Sequence, residues 1–393
     1  MEIHEVKLGD VAAVKGGKRL PKGINLITKP NTHPYIRVRD LSGKRTLELD
    51  SSFEFVDDET QKTIARYIVN DGDIVLSIVG TIGLVAIVGK SLNEANLTEN
   101  CVKLTSLSGV DRDFLYYFLK SPYGQQEITR GTVGAVQAKL PIKNIQDITI
   151  PLPDELTQSK IAAVLSSLDT KIETNQKIND NLQQQAFALF DKLMIDADND
   201  ECTVSDYAYL NPKRVLAKNQ IARSIDMSQL STSGAFPLGW DIKPFNGGMR
   251  FANGDTLLAR ITPCLENGKT AFVDFLDKDE VAFGSTEYIV LAPRNGVPPE
   301  MLYCLARYPA FVDYAVKNMN GSSGRQRVSA ETIGQFHLPK FVKQSLSAFR
   351  EAVTPMFLKM RYNSLENMRL AELRDALLPK LMSGEIDVSD IQL

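Results

Sequence analysis

Most of this chain occurs twice. Asn70-Asp71-Gly72-Asp73-Ile74-Val75-Leu76 returns 182 residues later as Ala252-Asn253-Gly254-Asp255-Thr256-Leu257-Leu258, each a glycine turn that launches a buried strand. Gly131-Thr132-Val133-Gly134, followed by Gln137, returns as Gly321-Ser322-Ser323-Gly324, followed by Gln326. Ile145, Ile148, Ile150 and Pro151 return with a shift of 188 as Ile333, Phe336, Leu338 and Pro339. Self-similarity at this period sets the architecture: two like units in one chain.

The longest correspondence is helical. Ile161, Leu165, Leu168, Ile172, Asn175, Asn179, Leu182, Ala186, Leu189 and Leu193 alternate spacings of four and three, the a/d seam of a coiled coil. Phe349, Val353, Met356, Met360, Asn363, Asn367, Leu370, Arg374, Leu377 and Leu381 keep the same rhythm, every member displaced by 188. The seams predict two rods of about 50 Å, at roughly 1.5 Å per residue, the first opened by the acidic turn Asp154-Glu155. Antiparallel pairing sets Asn175 against Asn367 and Asn179 against Asn363, buried layers that cost stability and fix register. Pro355 removes a ladder bond, so the second rod is expected to kink or begin there.

The resulting fold class is α+β: two mixed α/β domains alternate with two long helices that pair as an antiparallel coiled coil, a tandem repeat with approximate two-fold symmetry. The boundaries fall at 1–154, 155–194, 195–341 and 342–393. Within the globular units, helices are expected near Asp113–Leu119 and Met301–Arg307. A length of 393 residues with 43 % hydrophobic side chains suits two or three cored domains and excludes disorder. Apolar runs such as Ile74–Val79 and Leu84–Val88 fall far short of a membrane span of roughly 18 residues. The acidic start Met1-Glu2-Ile3-His4-Glu5 does not resemble a secretory signal, so a cytoplasmic address is expected.

Catalytic chemistry is hard to find. Cys101, Cys202, Cys264 and Cys304 lie singly among apolar neighbours and read as buried free thiols, while His4, His33 and His337 are too dispersed for a zinc site. Gly89-Lys90-Ser91 and Gly268-Lys269-Thr270 resemble the end of a phosphate-binding loop, but the upstream glycine it requires is Leu84 in one and Pro263 in the other; both read as strand edges. Asn211-Pro212-Lys213-Arg214 lacks the second proline and the aromatic of an amino-methyltransferase tetrapeptide. No glycine-rich loop for S-adenosylmethionine and no nucleophile-base pair stands out. The chain reads as non-catalytic, with no metal and no cofactor of its own.

A formal charge of −3 argues against a polyanionic partner, yet the charge is segregated. Between Lys15 and Arg45 stand nine basic residues and one acid, Asp40; Glu48 to Glu59 then reverses the sign with six acids. Segregation of this kind can give a basic face on an acidic protein. Two similar domains held apart by a rod suit DNA, where half-sites about one helical turn apart, roughly 34 Å, share one face of the duplex.

Ile150-Pro151-Leu152-Pro153, then Gln158, Lys160-Ile161-Ala162, Leu165-Ser166-Ser167-Leu168-Asp169, Lys171-Ile172-Glu173, Asn175 and Asn181-Leu182, resembles the central conserved region of the DNA specificity subunits of type I restriction-modification enzymes. Glu366-Asn367, Leu370, Leu373-Arg374-Asp375 and Leu377-Leu378-Pro379-Lys380-Leu381-Met382-Ser383-Gly384-Glu385-Ile386 resembles that family's C-terminal one. The second Ile-Pro-Leu-Pro is degenerate, Leu338-Pro339-Lys340-Phe341. The resemblance implies a subunit whose two target-recognition domains, 1–154 and 195–341, each read one half of an asymmetric bipartite double-stranded DNA target. It further implies that the helices dock two methyltransferase subunits carrying S-adenosylmethionine, and that two motor-nuclease subunits add ATP- and magnesium-dependent translocation and cleavage.

Base-reading residues do not transfer from the family position by position, so chemistry selects them. Lys18, Arg19, Lys22, Arg37 and Arg39 come from the basic stretch, with Arg130, Gln137 and Lys139 around the first glycine loop. Lys213, Arg214, Arg250, Arg260, Arg325, Gln326 and Arg327 occupy the second domain. Arg forks onto guanine, Gln onto adenine, and Lys neutralises phosphate. Two other readings stay open: a coiled-coil interaction scaffold that never reads DNA, and a stand-alone modifying enzyme.

Overall fold

In both halves the Gly-Asp signal, Gly72-Asp73 and Gly254-Asp255, folds as a carboxylate-capped turn. Gly72 and Gly254 take φ of +85° and +90°, a region open to glycine, and Asp73 and Asp255 each accept the backbone N–H three residues upstream at 2.8 Å. The strands they launch, Ile74–Ser77 and Thr256–Ala259, are buried along their whole length. A computed structural model describes residues 3–134, 136–322 and 324–392. Ser323 of the second glycine motif and the Met1-Glu2 start therefore lie outside the described residues.

The chain divides into two units, residues 1–170 with 371–393 and residues 171–370. In the first, a five-stranded sheet runs in the order Ala13–Gly16, Cys101–Thr105, Ile74–Ser77, Val85–Val88, Thr46–Leu47, with a three-stranded sheet of Glu54–Phe55, Pro34–Ile36 and Asn96–Leu97. Helix Arg112–Lys120, capped by the Asp111 carboxylate on the Phe114 N–H at 2.9 Å, buries Phe114 through Leu119 against the larger sheet. Each such side chain contributes about 1.5–3 kcal/mol. The edge strand Ile3–Lys7 pairs antiparallel with Thr149–Pro153.

The second unit has a four-stranded sheet in the order Ala208–Leu210, Tyr288–Pro293, Thr256–Ala259, Thr270–Phe272. Beside it, Ile221–Ile225 runs parallel to Ala282–Gly284 in a second sheet, as Pro34–Ile36 runs parallel to Asn96–Leu97 in the first unit. Helix Pro299–Arg307 takes the place that Arg112–Lys120 holds in its own unit, and Asp198–Thr203 pairs with His337–Lys340.

The long helices run from Glu155 to Ile195 and from Lys343 to Met382, 41 and 40 residues. In the second unit, Asn175 Nδ2 donates to Asn367 Oδ1 at 2.9 Å and to Glu366 Oε2 at 2.7 Å, while Asn363 Nδ2 donates to Asn179 Oδ1 at 2.8 Å. Rising numbers on one helix thus meet falling numbers on the other. Asn175 and Asn363 are 0 % and 1 % exposed, and each leaves its Oδ1 without a partner. In the first unit the same two helices meet through Arg374 Nη1 and Asp169 Oδ1 at 2.6 Å, and Tyr117 Oη donates to Asp169 Oδ2 at 2.7 Å. Burial and the adjacent Asp169 carboxylate push the Tyr117 hydroxyl far above its ordinary value.

Several expectations need correction. The second helix begins at Lys343, ahead of Pro355, and continues through it. Pro355 donates no N–H, but Val353 and Phe357 on either side are buried and Thr354 Oγ1 donates to Glu300 Oε1 at 2.9 Å, which holds that turn laterally. The helix ends at Met382 rather than running towards 393; the following tail packs Val388 into the first unit's core. Lys90–Leu92 forms a short 3-10 turn after its strand, whereas Thr270 does open one. Cys101 and Cys304 are buried, and burial pushes the Cys101 thiol up to about 12, but Cys202 and Cys264 are only half-buried.

Candidate nucleic-acid interface

Folding lays the basic stretch against the acidic one. Tyr35 pairs with Glu54 across two antiparallel strands, so Glu54 meets both Arg37 and Arg39, the latter at 3.0 Å, and Asp40 lies 3.6 Å from each. Arg19 donates to Glu99 at 2.6 Å, and Lys44 reaches Asp50 at 2.5 Å. Arg37 is largely buried, its Nε and Nη2 left without a hydrogen-bond partner, and burial lowers its pKa. The segregation seen in sequence is therefore much reduced in space. Lys18, stacked 5.5 Å from the Tyr67 ring, and exposed Lys22 have no ion pair among the described residues.

In the second unit half-buried Arg214 is bound to an interior carboxylate. Its Nη2 grips both oxygens of Asp255, which is 1 % exposed, at 2.6 Å on Oδ2 and closer on Oδ1. Burial pushes the Asp255 carboxyl up to about 6 against the pull of that guanidinium. Arg214 is thus committed to Asp255, with its side chain still 23 % exposed. The equivalent carboxylate in the first unit, Asp73, takes Lys103 from the neighbouring strand at 3.1 Å. Lys213 is exposed beside Arg214, and Arg250 lies over the Phe245 ring at 5.5 Å.

The glycine loops close in the same manner. Val133 and Lys139 exchange backbone hydrogen bonds at 2.9 Å, and Asn320 and Arg327 do the same at 2.9 Å. Gly134 has φ of +97°, and a Cβ there would stand 2.7 Å from the Gln137 carbonyl oxygen, so this turn needs glycine. Exposed Gln137 and Lys139 ride on the first loop, with Arg130 at its base bonded to Glu127 at 2.6 Å. On the second, exposed Arg325 and half-buried Gln326 and Arg327 follow one another. Each loop is pinned by one backbone ladder: Leu140 N–H to Ile78 O at 3.0 Å and Ile78 N–H to Asn100 O at 2.8 Å, against Val328 N–H to Arg260 O at 3.0 Å and Arg260 N–H to Glu287 O at 3.0 Å.

Side chains on that ladder differ. Glu287 accepts from Arg327 Nε at 2.9–3.0 Å and Nη2 at 2.8 Å, and from Arg260 Nε at 3.2 Å. Both guanidinium groups hold its carboxyl below the usual range. Glu287 was not singled out from the sequence; it lies outside every glycine motif and basic run, and only the ladder brings it to Arg260. The structure thus gathers Arg260, Arg325, Gln326 and Arg327 into one cluster, and Gln137 with Lys139 into another.

The family model described as the type I restriction modification DNA specificity domain matches residues 2–184. That match covers the first globular unit and most of the first long helix. The chain is 23 % identical to the MjaIX specificity subunit of Methanocaldococcus jannaschii, covering 98 % of this chain and 94 % of that one. It is 24 % identical to the HindI specificity subunit of Haemophilus influenzae over 62 % of this chain and 70 % of that one. Its fold matches the crystal structure of a type I restriction-modification S subunit from M. genitalium, with a TM-score of 0.56, 20 % identity and coverage of 97 % and 96 %. Specificity subunits are the non-catalytic component of such systems. Among the described residues no helix is long and apolar enough to cross a membrane.

Proposed function

We infer that this chain is a type I restriction-modification specificity subunit that reads an asymmetric, bipartite DNA sequence, one half through residues 1–154 and the other through 195–341. What carries the reading is the shared ladder with different side chains: Ile78, Asn100 and Lys139 in one unit against Arg260, Glu287 and Arg327 in the other. One scaffold presenting two chemistries is what an asymmetric target requires. We read the sheet orders, the ladder and the 188-residue shift together as a pseudo-two-fold tandem repeat, and the Asn contacts as the register layer of an antiparallel coiled coil. Lys18, Lys22, Arg130, Gln137 and Lys139 contact the first half-site in this reading, and Lys213, Arg250, Arg260, Arg325 and Gln326 the second; Arg19, Arg37 and Arg39 join only if their carboxylate partners yield.

The long helices, Glu155–Ile195 and Lys343–Met382, in the segments 155–194 and 342–393, are the docking elements for two methyltransferase subunits. Ile178, Leu358, Tyr362 and Leu373 stay exposed on them, apolar surface that a partner can cover. S-adenosylmethionine, ATP and magnesium belong to the partner subunits, and two restriction subunits complete the assembly. The test is modification-sensitive long-read sequencing of DNA from a methylation-free host that expresses this chain with the methyltransferase encoded beside it. Methyladenine on both strands of one bipartite motif is expected. No methylation, with both proteins expressed, would favour a scaffold that does not read DNA.

A further inference from the structure

The second unit contains more positive charge than its ladder needs, arranged in a specific way. Arg260 and Arg327 both donate to one carboxylate, Glu287, and Arg325 stands two residues before Arg327 on the loop. Arg327 is closed down: Nε and Nη2 clamp Glu287, and Nη1 donates to the Arg325 carbonyl oxygen at 3.0 Å. Arg260 is held at one point only, Nε on Glu287 at 3.2 Å, with its backbone fixed on both sides by the ladder. Its Nη1 and Nη2 have no protein partner among the described residues, and its side chain is one-third exposed. Arg325 is exposed and without an ion pair among the described residues.

We propose that Arg260 is a guanine-reading residue of the second half-site and that Glu287, locked by Arg327, is the positioning residue that aims it. This rests on the DNA-reading function proposed above. A guanidinium pinned through Nε still presents its terminal Nη1–Nη2 edge, and two parallel N–H donors match the O6 and N7 acceptors of guanine in the major groove. An unheld arginine has most of its rotamers open and must give up that freedom on binding; one fixed by a carboxylate has lost much of it already. Arg327 serves the geometry rather than the base, because each of its three nitrogens already has a protein partner, whereas Arg260 is bonded through Nε alone. Arg325, free and at the loop edge, neutralises phosphate. In the first unit the same ladder carries Ile78, Asn100 and Lys139, which offer no guanidinium fork, so the two half-sites differ at the base read from this position.

Glu287→Gln separates this role from a purely structural one, because it removes a negative charge while dismantling the aim. The probe is the duplex carrying the motif found by methylation sequencing, with each guanine of the second half replaced in turn by 7-deazaguanine, which lacks N7. Binding is measured for the complex with its methyltransferase. In the unsubstituted protein one such replacement is expected to weaken binding by about ten-fold or more. Glu287→Gln is expected to erase that penalty while binding to unrelated DNA stays the same or strengthens. Full retention of the penalty in Glu287→Gln, or an equal loss on every duplex, would overturn the proposal. Should that variant not assemble, Arg260→Lys asks the same question: it keeps the charge and the salt dependence but loses the fork, and is expected to erase the same penalty. If the unsubstituted complex bound no duplex at all, the DNA-reading function itself would fail; binding without any guanine penalty in the second half would refute the guanine assignment alone.

Discussion

The two units solve one structural problem with different residues. Each must anchor a buried turn carboxylate, and Asp73 does so with Lys103 from the adjacent strand while Asp255 recruits Arg214 from a preceding loop. Each must also pin its glycine loop to the sheet, and the backbone does this identically while the side chains diverge from Ile78, Asn100 and Lys139 to Arg260, Glu287 and Arg327. The lesson is a division of labour. Hydrogen bonds between main-chain groups keep the scaffold whatever the side chains are, which leaves those side chains available to vary with a target.

The buried pairs give the largest test of that comparison. Arg214→Ala leaves the buried Asp255 carboxyl without its partner, to stay unpaired or take up a proton, and is expected to destabilise the protein by about 3–5 kcal/mol at pH 7, measured by denaturant unfolding with the second unit followed through Trp240 fluorescence. Lys103→Ala should act in the same direction in the first unit, where Asp73 is also buried. A small effect in one and a large effect in the other would show that the carboxylates are not equivalent.

The pH dependence sharpens the contrast. The folded Asp255 carboxyl sits at about 6, above its unfolded value of about 3.9, so the folded state holds more protons between those values. The group's stabilising contribution is complete below about pH 4 and is lost as pH rises through 6, roughly 3 kcal/mol across the window. In Arg214→Ala the carboxyl should titrate higher still, so the deficit relative to the unsubstituted protein should shrink below pH 6. NMR titration of the Asp255 carboxyl checks both.

A smaller effect concerns the helices. Asn175→Leu with Asn367→Leu replaces a hydrogen-bonded layer that leaves Asn175 Oδ1 unpaired by apolar contact, and is expected to stabilise the second unit by about 1–3 kcal/mol while loosening register. An unchanged melting temperature would mean that the layer is not what sets the pairing. Least of all, Lys139→Ala is expected to leave the melting temperature unchanged and to reduce the salt dependence of DNA binding by about one phosphate's worth, a slope change of about 0.9.

Much of this fold was legible because it is carried by local chemistry. The Gly-Asp turns need glycine at positive φ and a capping acid, and both are visible as letters. The heptad rhythm exposed the seam face of each long helix. It could not show that these helices bury a second face: Phe357 packs edge-on against Phe272 and Tyr303 at 5.1 and 5.6 Å, and Phe190 lies against Tyr308, contacts that depend on sheet and helix placement. The candidate site was legible in its glycine loops and less so in its charges. Arg37 and Arg39 sit seventeen and fifteen residues from Glu54 in sequence, yet one strand pairing brings them together. Glu287 gave no signal, since its role arises from a backbone bond to Arg260 across 27 residues.

The central claim is that each unit reads its own half of the target, and exchanging residues 195–341 for those of a relative tests it most directly. Methylation sequencing of the host expressing the exchanged subunit with its methyltransferase should return a motif in which one half is new and the other is unchanged. A motif altered in both halves, or in neither, would contradict the account.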